Sequence, residues 1–343
     1  MQRILRNTDK NFIDLTHNSY LNLHKNKEIT ESAKKYIDRF STSFTTSPLV
    51  GNSQIFEEIF SLLFNIYQKQ ATIFPSGFQT NISVVPVIIN QFKEPVVIFD
   101  KLNHNSMYQG LKLSNKHTLK RYQNCNLNQL EDILKKHQNQ NKLVFTESVF
   151  SMDGTILDME NFIFLKRKYG FFTYIDEAHS LGLFGENGYG LNYKYRDEIE
   201  VIMATFSKAI ASQGGFLLTN QELQKNIINK ATGLIYSTGL SPSNIGVAIK
   251  AFEILPNLDF EREKISKIVS ELNSNTQIIP IICSSEENLT NAYNFLLEKN
   301  ILTSIIRHPT VPTDKQRLRV CINSEVDQET TTIIKDALKN FSI

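Results

Sequence analysis

Lys208 stands in "VIMATFSKAIASQGGFLLTN", residues 201–220, between an apolar run and a glycine pair. A lysine so placed can be a solvated strand-end ammonium, a phosphate-binding cation, or an amine made nucleophilic by partial desolvation, which lowers its pKa. The chain has no G-x-x-x-x-G-K-[ST] stretch, which excludes a P-loop. Asp176 adds a second group. It ends the apolar run in "FFTYIDEAHS", with His179 three residues on. In isolation these are a helix-capping acid and a packed histidine. Paired with Lys208, they suit a ring cofactor. Pyridoxal 5'-phosphate (PLP) needs a Schiff-base lysine and a carboxylate that keeps its pyridine nitrogen protonated, so that the ring can take up electrons from a carbanion. Its phosphate needs an anchor. "PSGFQTN" supplies Ser76, Gly77 and Phe78 where a strand gives way to a helix, and N–H groups at a helix start favour an anion. Thr205 and Ser207 offer hydroxyls, and His104 in "LNHNS" offers a flat ring for stacking. The plainer alternatives are a turn and a loop histidine.

These residues must be positioned by a common scaffold. Short apolar runs recur at 71–74, 95–99, 117–122, 142–146, 171–175, 200–205 and 214–219, with helical patterns between several of them. Continuous apolar strands joined by helices predict an α/β fold with a mainly parallel sheet covered on both faces. Five of the runs end in polar clusters, and in open α/β sheets ligands bind beyond the carboxyl ends of strands. The stretch 52–68 reads as a helix capped by Asn52 or Ser53. After residue 245 the pattern becomes strand, helix, strand, strand, helix. The expected organisation is an N-terminal arm at 1–20, a large domain at 21–249 and a small α+β domain at 250–343.

Composition narrows the field. The chain has 343 residues, 41% hydrophobic, with a formal charge of +2, so nothing argues for nucleic acid or an anionic membrane surface. Its three cysteines, Cys125, Cys283 and Cys321, lie far apart and make neither a metal pattern nor a disulfide framework. The first residues contain no long apolar segment, and the longest apolar stretch, "VVPVII", is far too short to span a bilayer. The expectation is a cytoplasmic protein. "GLFGENGYG" is glycine-rich but is not G-x-G-x-x-G, which disfavours a dinucleotide-binding dehydrogenase.

Seven blocks now carry a resemblance: "SGFQTN", "KLNHNSM", "TESVFSMDGTILDM", "YIDEAHSLGLFGENGYG", "ATFSKAIASQGG", "IYSTGLSP" and "HPTVPTDKQRLRV". In this order they resemble the α-oxoamine synthases, PLP enzymes of the aspartate-aminotransferase fold type, over about nine-tenths of the chain. The resemblance implies that Lys208 forms the Schiff base with PLP and later transfers a proton. It implies that Asp176 pairs with the pyridine nitrogen, that His179 and Ser151 approach the cofactor's phenolic oxygen, and that His104 stacks on its ring. Gly77, Phe78 and Thr205 match phosphate contacts. Thr238 in "YSTG" matches a phosphate contact reached from a second subunit, which implies a homodimer with a shared site. Asn18 and Arg319 match substrate contacts, with Arg319 gripping an amino-acid carboxylate as a fork.

The implied reaction is a decarboxylating condensation of an amino acid with an acyl thioester. Within the family, "RHPTVPTDKQRLRV" looks most like the members that join L-alanine to a pimeloyl thioester, carried on CoA or on acyl carrier protein. Glycine with an acetyl thioester is the alternative substrate pair, and a non-catalytic partner subunit of the same fold is the alternative role. The presence of Lys208 speaks against the latter. The chain departs from the family at "STSFTTSPLVG", where Pro48 stands in place of a common histidine.

Overall fold

Nearly every apolar run becomes a strand, because alternating burial on two covered faces leaves no polar side to the run. The computed structural model describes residues 12–50 and 54–343. Asn52 and Ser53 lie outside the described residues, and the helix they precede runs Gln54–Tyr67. After β1 (Ile13–Asp14) come β2 (Gln70–Phe74), β3 (Val96–Asp100), β4 (Thr118–Tyr122), β5 (Lys142–Glu147), β6 (Phe172–Asp176), β7 (Val201–Thr205) and β8 (Gly215–Thr219). β2 to β8 form one sheet in the order β2-β8-β7-β6-β5-β3-β4. Its pairings are parallel except those of β8, which runs against both neighbours. The fold is thus the α/β, mainly parallel arrangement expected. An aromatic ladder crosses its core, with Phe99 4.9 Å from Phe145 and Phe145 5.3 Å from Tyr174 between ring centroids.

The helix Gly77–Ile89 starts directly after β2. The Ser76 side chain caps it, accepting the Gln79 N–H at 3.1 Å. A Cβ at Gly215 would lie 2.8 Å from the Gly77 backbone, so glycine is what lets β8 touch this helix start.

The smaller unit contains β9 (Ile278–Ile282), β10 (Ile301–Leu302), β11 (Ser304–Ile306) and β12 (Arg317–Cys321). β11, β12 and β9 make an antiparallel sheet, and β1 pairs in parallel with β10. Helices Glu286–Glu298 and Gln328–Phe341 belong to the same unit. By contact density the described chain divides into 21–151 with 155–260, and 12–20 with 152–154 and 261–343. This differs from the sequence-based division in three ways. The helix Pro242–Ile254 stays with the large unit, where its Gly246 lies against the Tyr36 ring. The described part of the arm, residues 12–20, is not separate, because β1 is a strand of the small unit. Residues 152–154 join that unit too. Arg317, fully buried, donates to the Met152 carbonyl at 3.1 Å and to the Asp153 carboxylate at 2.7 Å. Among the described residues no helix is long and apolar enough to cross a membrane.

Candidate active site

The register of the parallel strands puts two carboxylates side by side. Glu147 at the end of β5 pairs with Asp176 at the end of β6, and Asp176 pairs in turn with Met203 on β7. Both acids are buried. A cavity of about 220 Å³ opens at these ends. Ser76, Gly77, Phe78, His104, Asp176, His179, Thr205, Ser207 and Lys208 all line it. The structure therefore brings together nine residues chosen from the sequence, contributed by four strand ends.

Each is held locally. Asp176 Oδ1 accepts the Ala178 N–H at 2.9 Å, and Oδ2 accepts the Asn81 amide at 2.9 Å. Two such donors suit an ionised carboxylate. Lys208 sits in a loop knotted by hydroxyls. The Ser207 N–H donates to Thr205 Oγ1 at 3.1 Å, and Thr205 Oγ1 donates to the Gly214 carbonyl at 2.7 Å. The Lys208 carbonyl accepts the Ala211 N–H at 2.9 Å. Gly214 has φ +120°, and a Cβ there would fall 2.5 Å from Leu240, so the first glycine of the pair is required by conformation and by space. That explains the glycines after the lysine: they turn β7 back into β8 and fix the backbone that presents Lys208.

His104 caps the helix Asn105–Lys112, its Nδ1 accepting the Ser106 N–H at 3.3 Å. It is exposed by area, yet protein crowds it at the cleft, and this desolvation pushes its imidazole below the ordinary value. Asp176 opposes the shift and Lys208 adds to it. Glu147 accepts the His104 N–H. Its carboxyl is pushed well above the ordinary range, first by burial and then by Asp176 beside it.

Four expected residues stand elsewhere. Ser151 is buried but does not line the cavity. Thr238 is exposed and lines a separate small cavity with Pro48, Phe56 and Phe74. Asn18 and Arg319 belong to the small unit. There Arg319 donates to Asn18 Oδ1 at 3.0 Å and to Cys321 Sγ at 2.7 Å.

Sequence reasoning missed Asn81, Ser106 and Glu147, which also line the cavity. Glu147 carried a usable signal. It is an acid closing an apolar run, the same feature that singled out Asp176. Asn81 and Ser106 carried none beyond lying in the "SGFQTN" and "LNHNS" blocks.

A mainly parallel sheet, a lysine on a hairpin loop and a buried acid at the strand ends together define a class of protein. The aminotransferase class I and II family model matches residues 10–338, and the chain belongs to that family, whose fold is that of PLP-dependent enzymes, and within it to the α-oxoamine synthases. Particular relatives are close enough to name. A protein of Magnetococcus marinus, provisionally named 8-amino-7-oxononanoate synthase, is 32% identical over 98% of this chain and 89% of its own length. One of Bacillus thuringiensis with the same provisional name is 33% identical over 92% and 84%. Among solved structures, serine palmitoyltransferase of Sphingomonas wittichii superposes with a TM-score of 0.88 at 23% identity, over 96% of this chain and 86% of the other. The 8-amino-7-oxononanoate synthase of Francisella tularensis superposes with a TM-score of 0.81 at 23% identity, over 96% and 99%.

Proposed function

We propose that this chain is a PLP-dependent acyltransferase that condenses L-alanine with a pimeloyl thioester, with loss of carbon dioxide, to give 8-amino-7-oxononanoate. The observation that carries the reading is the joint presence of Lys208 and the buried Asp176 in one cavity, in a chain about one-third identical to proteins of that provisional name. The donor set fits PLP. Asp176 meets the need of a protonated ring nitrogen, and Ser76, Gly77 and Phe78 offer N–H groups at a helix start to a phosphate. His104 offers a ring for stacking, and His179 and Ser151 are assigned to the phenolic oxygen. When bound, PLP supplies an electron sink that makes an amino acid's α-carbon acidic enough to lose its proton.

The chain's own residues do the rest. Lys208 anchors the cofactor and then, as a free amine, takes and returns the α-proton. Arg319, steadied by Asn18, is assigned to the amino acid's carboxylate, since a guanidinium fork matches two oxygens. Thr238 is assigned to the phosphate of a second copy's site, which makes the working unit a homodimer.

The deciding experiment gives the purified, PLP-loaded protein L-alanine, glycine or serine against pimeloyl, acetyl and palmitoyl thioesters in parallel. Alanine with the pimeloyl donor should give the fastest product formation. Glycine should react about 10- to 200-fold more slowly, since one methyl is worth roughly 1–3 kcal/mol in a pocket. A clear win for glycine with the acetyl donor, or serine with the palmitoyl donor, would replace this reading with a sister activity.

A further inference from the structure

We propose that Asn81 and Ser106 form a directional hydrogen-bond chain, started by the Tyr174 hydroxyl, that holds the Asp176 carboxylate as an acceptor and the His104 ring in its Nε2–H tautomer. Asn81 and Ser106 are positioning residues; they act through Asp176 and His104. The use made of those two groups rests on the PLP reading above, but the chain itself does not.

The direction can be traced from one donor to the next. Tyr174 is completely buried, with its ring on Phe145. Its hydroxyl lies 2.6 Å from Asn81 Oδ1. Burial, and then the charge of Asp176, holds the phenol far above its ordinary pKa, so it keeps its proton and donates it. A donor at Oδ1 orients the amide and turns Nδ2 the other way. Nδ2 has two hydrogens and meets two acceptors: Asp176 Oδ2 at 2.9 Å and Ser106 Oγ at 2.9 Å. An ionised carboxylate only accepts, so it independently demands the same amide orientation. Ser106 Oγ accepts from Asn81, which leaves its own proton for His104 Nδ1 at 2.6 Å. The Ser106 N–H, which can only donate, approaches the same nitrogen at 3.3 Å. Nδ1 thus carries the lone pair and Nε2 the ring hydrogen.

Tyr174, Asn81, Ser106 and Asp176 are buried, and His104 closes the chain at the cleft. A buried network whose every member is satisfied has one arrangement, and reversing any link leaves an unmet donor or acceptor. The consequence for a bound cofactor is electrostatic. A neutral His104 can lie against a ring whose nitrogen is protonated, whereas an imidazolium would repel it. The charged groups facing His104 are Asp176 and Lys208, with Glu147 receiving its backbone N–H.

The test is nitrogen-15 NMR of the full-length protein labelled at histidine, with and without PLP, with the His104 signal assigned by its loss in His104→Gln. Wild type should show one neutral His104 tautomer, protonated at Nε2. Asn81→Asp is isosteric and reverses the chain. Its carboxylate draws the Ser106 proton away from His104 and faces Asp176 as a like charge. His104 should then shift toward the Nδ1–H tautomer, and PLP should bind about tenfold more weakly or worse. Ser106→Ala adds no like charge beside Asp176 and keeps the backbone N–H at Nδ1, so it should weaken the Nε2–H preference to a mixture of tautomers with a smaller loss of PLP affinity; it serves if Asn81→Asp does not fold. An Nδ1–H tautomer in wild type, or a tautomer unmoved in both variants, overturns the proposal. Because the tautomer is read without cofactor as well, failure of the PLP reading would appear separately, as absence of bound chromophore in wild type.

Discussion

At the scale of single residues, the two neighbouring carboxylates play opposite parts. Asp176 is held by an amide and a backbone N–H, both of which favour its charged form. Glu147 is pushed toward its neutral form by burial and by that same charge. Glutamine imitates a neutral glutamic acid, so Glu147→Gln should retain turnover within a few-fold, while Glu147→Ala should lose more by opening a void beside Asp176; steady-state kinetics on both variants decides it. The opposite holds at 176. Asp176→Asn cannot stabilise a protonated ring nitrogen, so PLP affinity and α-proton exchange with solvent should both fall, the latter by at least about a hundredfold if the carboxylate supplies about 3 kcal/mol or more. Exchange at the wild-type rate would reduce Asp176 to a structural role. Lys208→Ala should abolish product formation. The sequence made Asp176 and Lys208 visible because each is a charged side chain abutting an apolar run. Asn81 and Tyr174 stayed hidden because neutral polar groups leave no such contrast. Tyr174 reads as one more strand aromatic until its hydroxyl is followed to a partner.

At the scale of elements, what matters is how loops are pinned to strand ends. The segment after β6 is anchored by Glu177, whose carboxylate accepts the Leu191 N–H at 2.8 Å, the Asn192 N–H at 3.1 Å and the Ser180 hydroxyl. Burial nonetheless raises its pKa to about 7, against the hydrogen bonds that lower it. An acid bound more tightly to its proton in the folded state than in the unfolded one stabilises the fold most below its unfolded value. That stability drains as pH climbs from about 4.3 to about 7. Between pH 5 and pH 8 the wild type should therefore lose up to about 3 kcal/mol relative to Glu177→Gln in urea titrations; identical pH profiles would show that Glu177 is not the titrating group. The Lys208 loop makes a second case. Gly214→Ala forces a Cβ onto Leu240 at a positive φ, and should cost about 2 kcal/mol or more and misplace the lysine, so that stability and activity fall together. The strands were legible from their apolar runs to within a residue or two. The boundary near residue 250 was not, because the helix Pro242–Ile254 is bound to the large unit by close packing of Gly246, and packing partners distant in sequence leave no periodic trace.

At the scale of the whole molecule, one chain leaves conspicuous apolar side chains in the open. Val50, Tyr236, Phe78 and Leu49 are among the exposed large hydrophobics of the large unit, and Thr238 lies two residues from Tyr236. A second copy is the occupant that the shared-site reading requires. Sedimentation should show the mass of two chains, and Tyr236→Glu should shift it toward one, with PLP retention falling in parallel; a fully active single chain would end the dimer reading. Membership of residues 152–154 in the smaller unit has a bearing on synthesis. A ribosome delivers every strand from β2 to β8 before it delivers Arg317, 164 positions after Asp153. The large sheet can close while the chain is still being made, yet Asp153 must wait, a carboxylate without its guanidinium, until Arg317 emerges. A message truncated after residue 260 would release the strands of the large sheet with the Met152–Gly154 segment undocked.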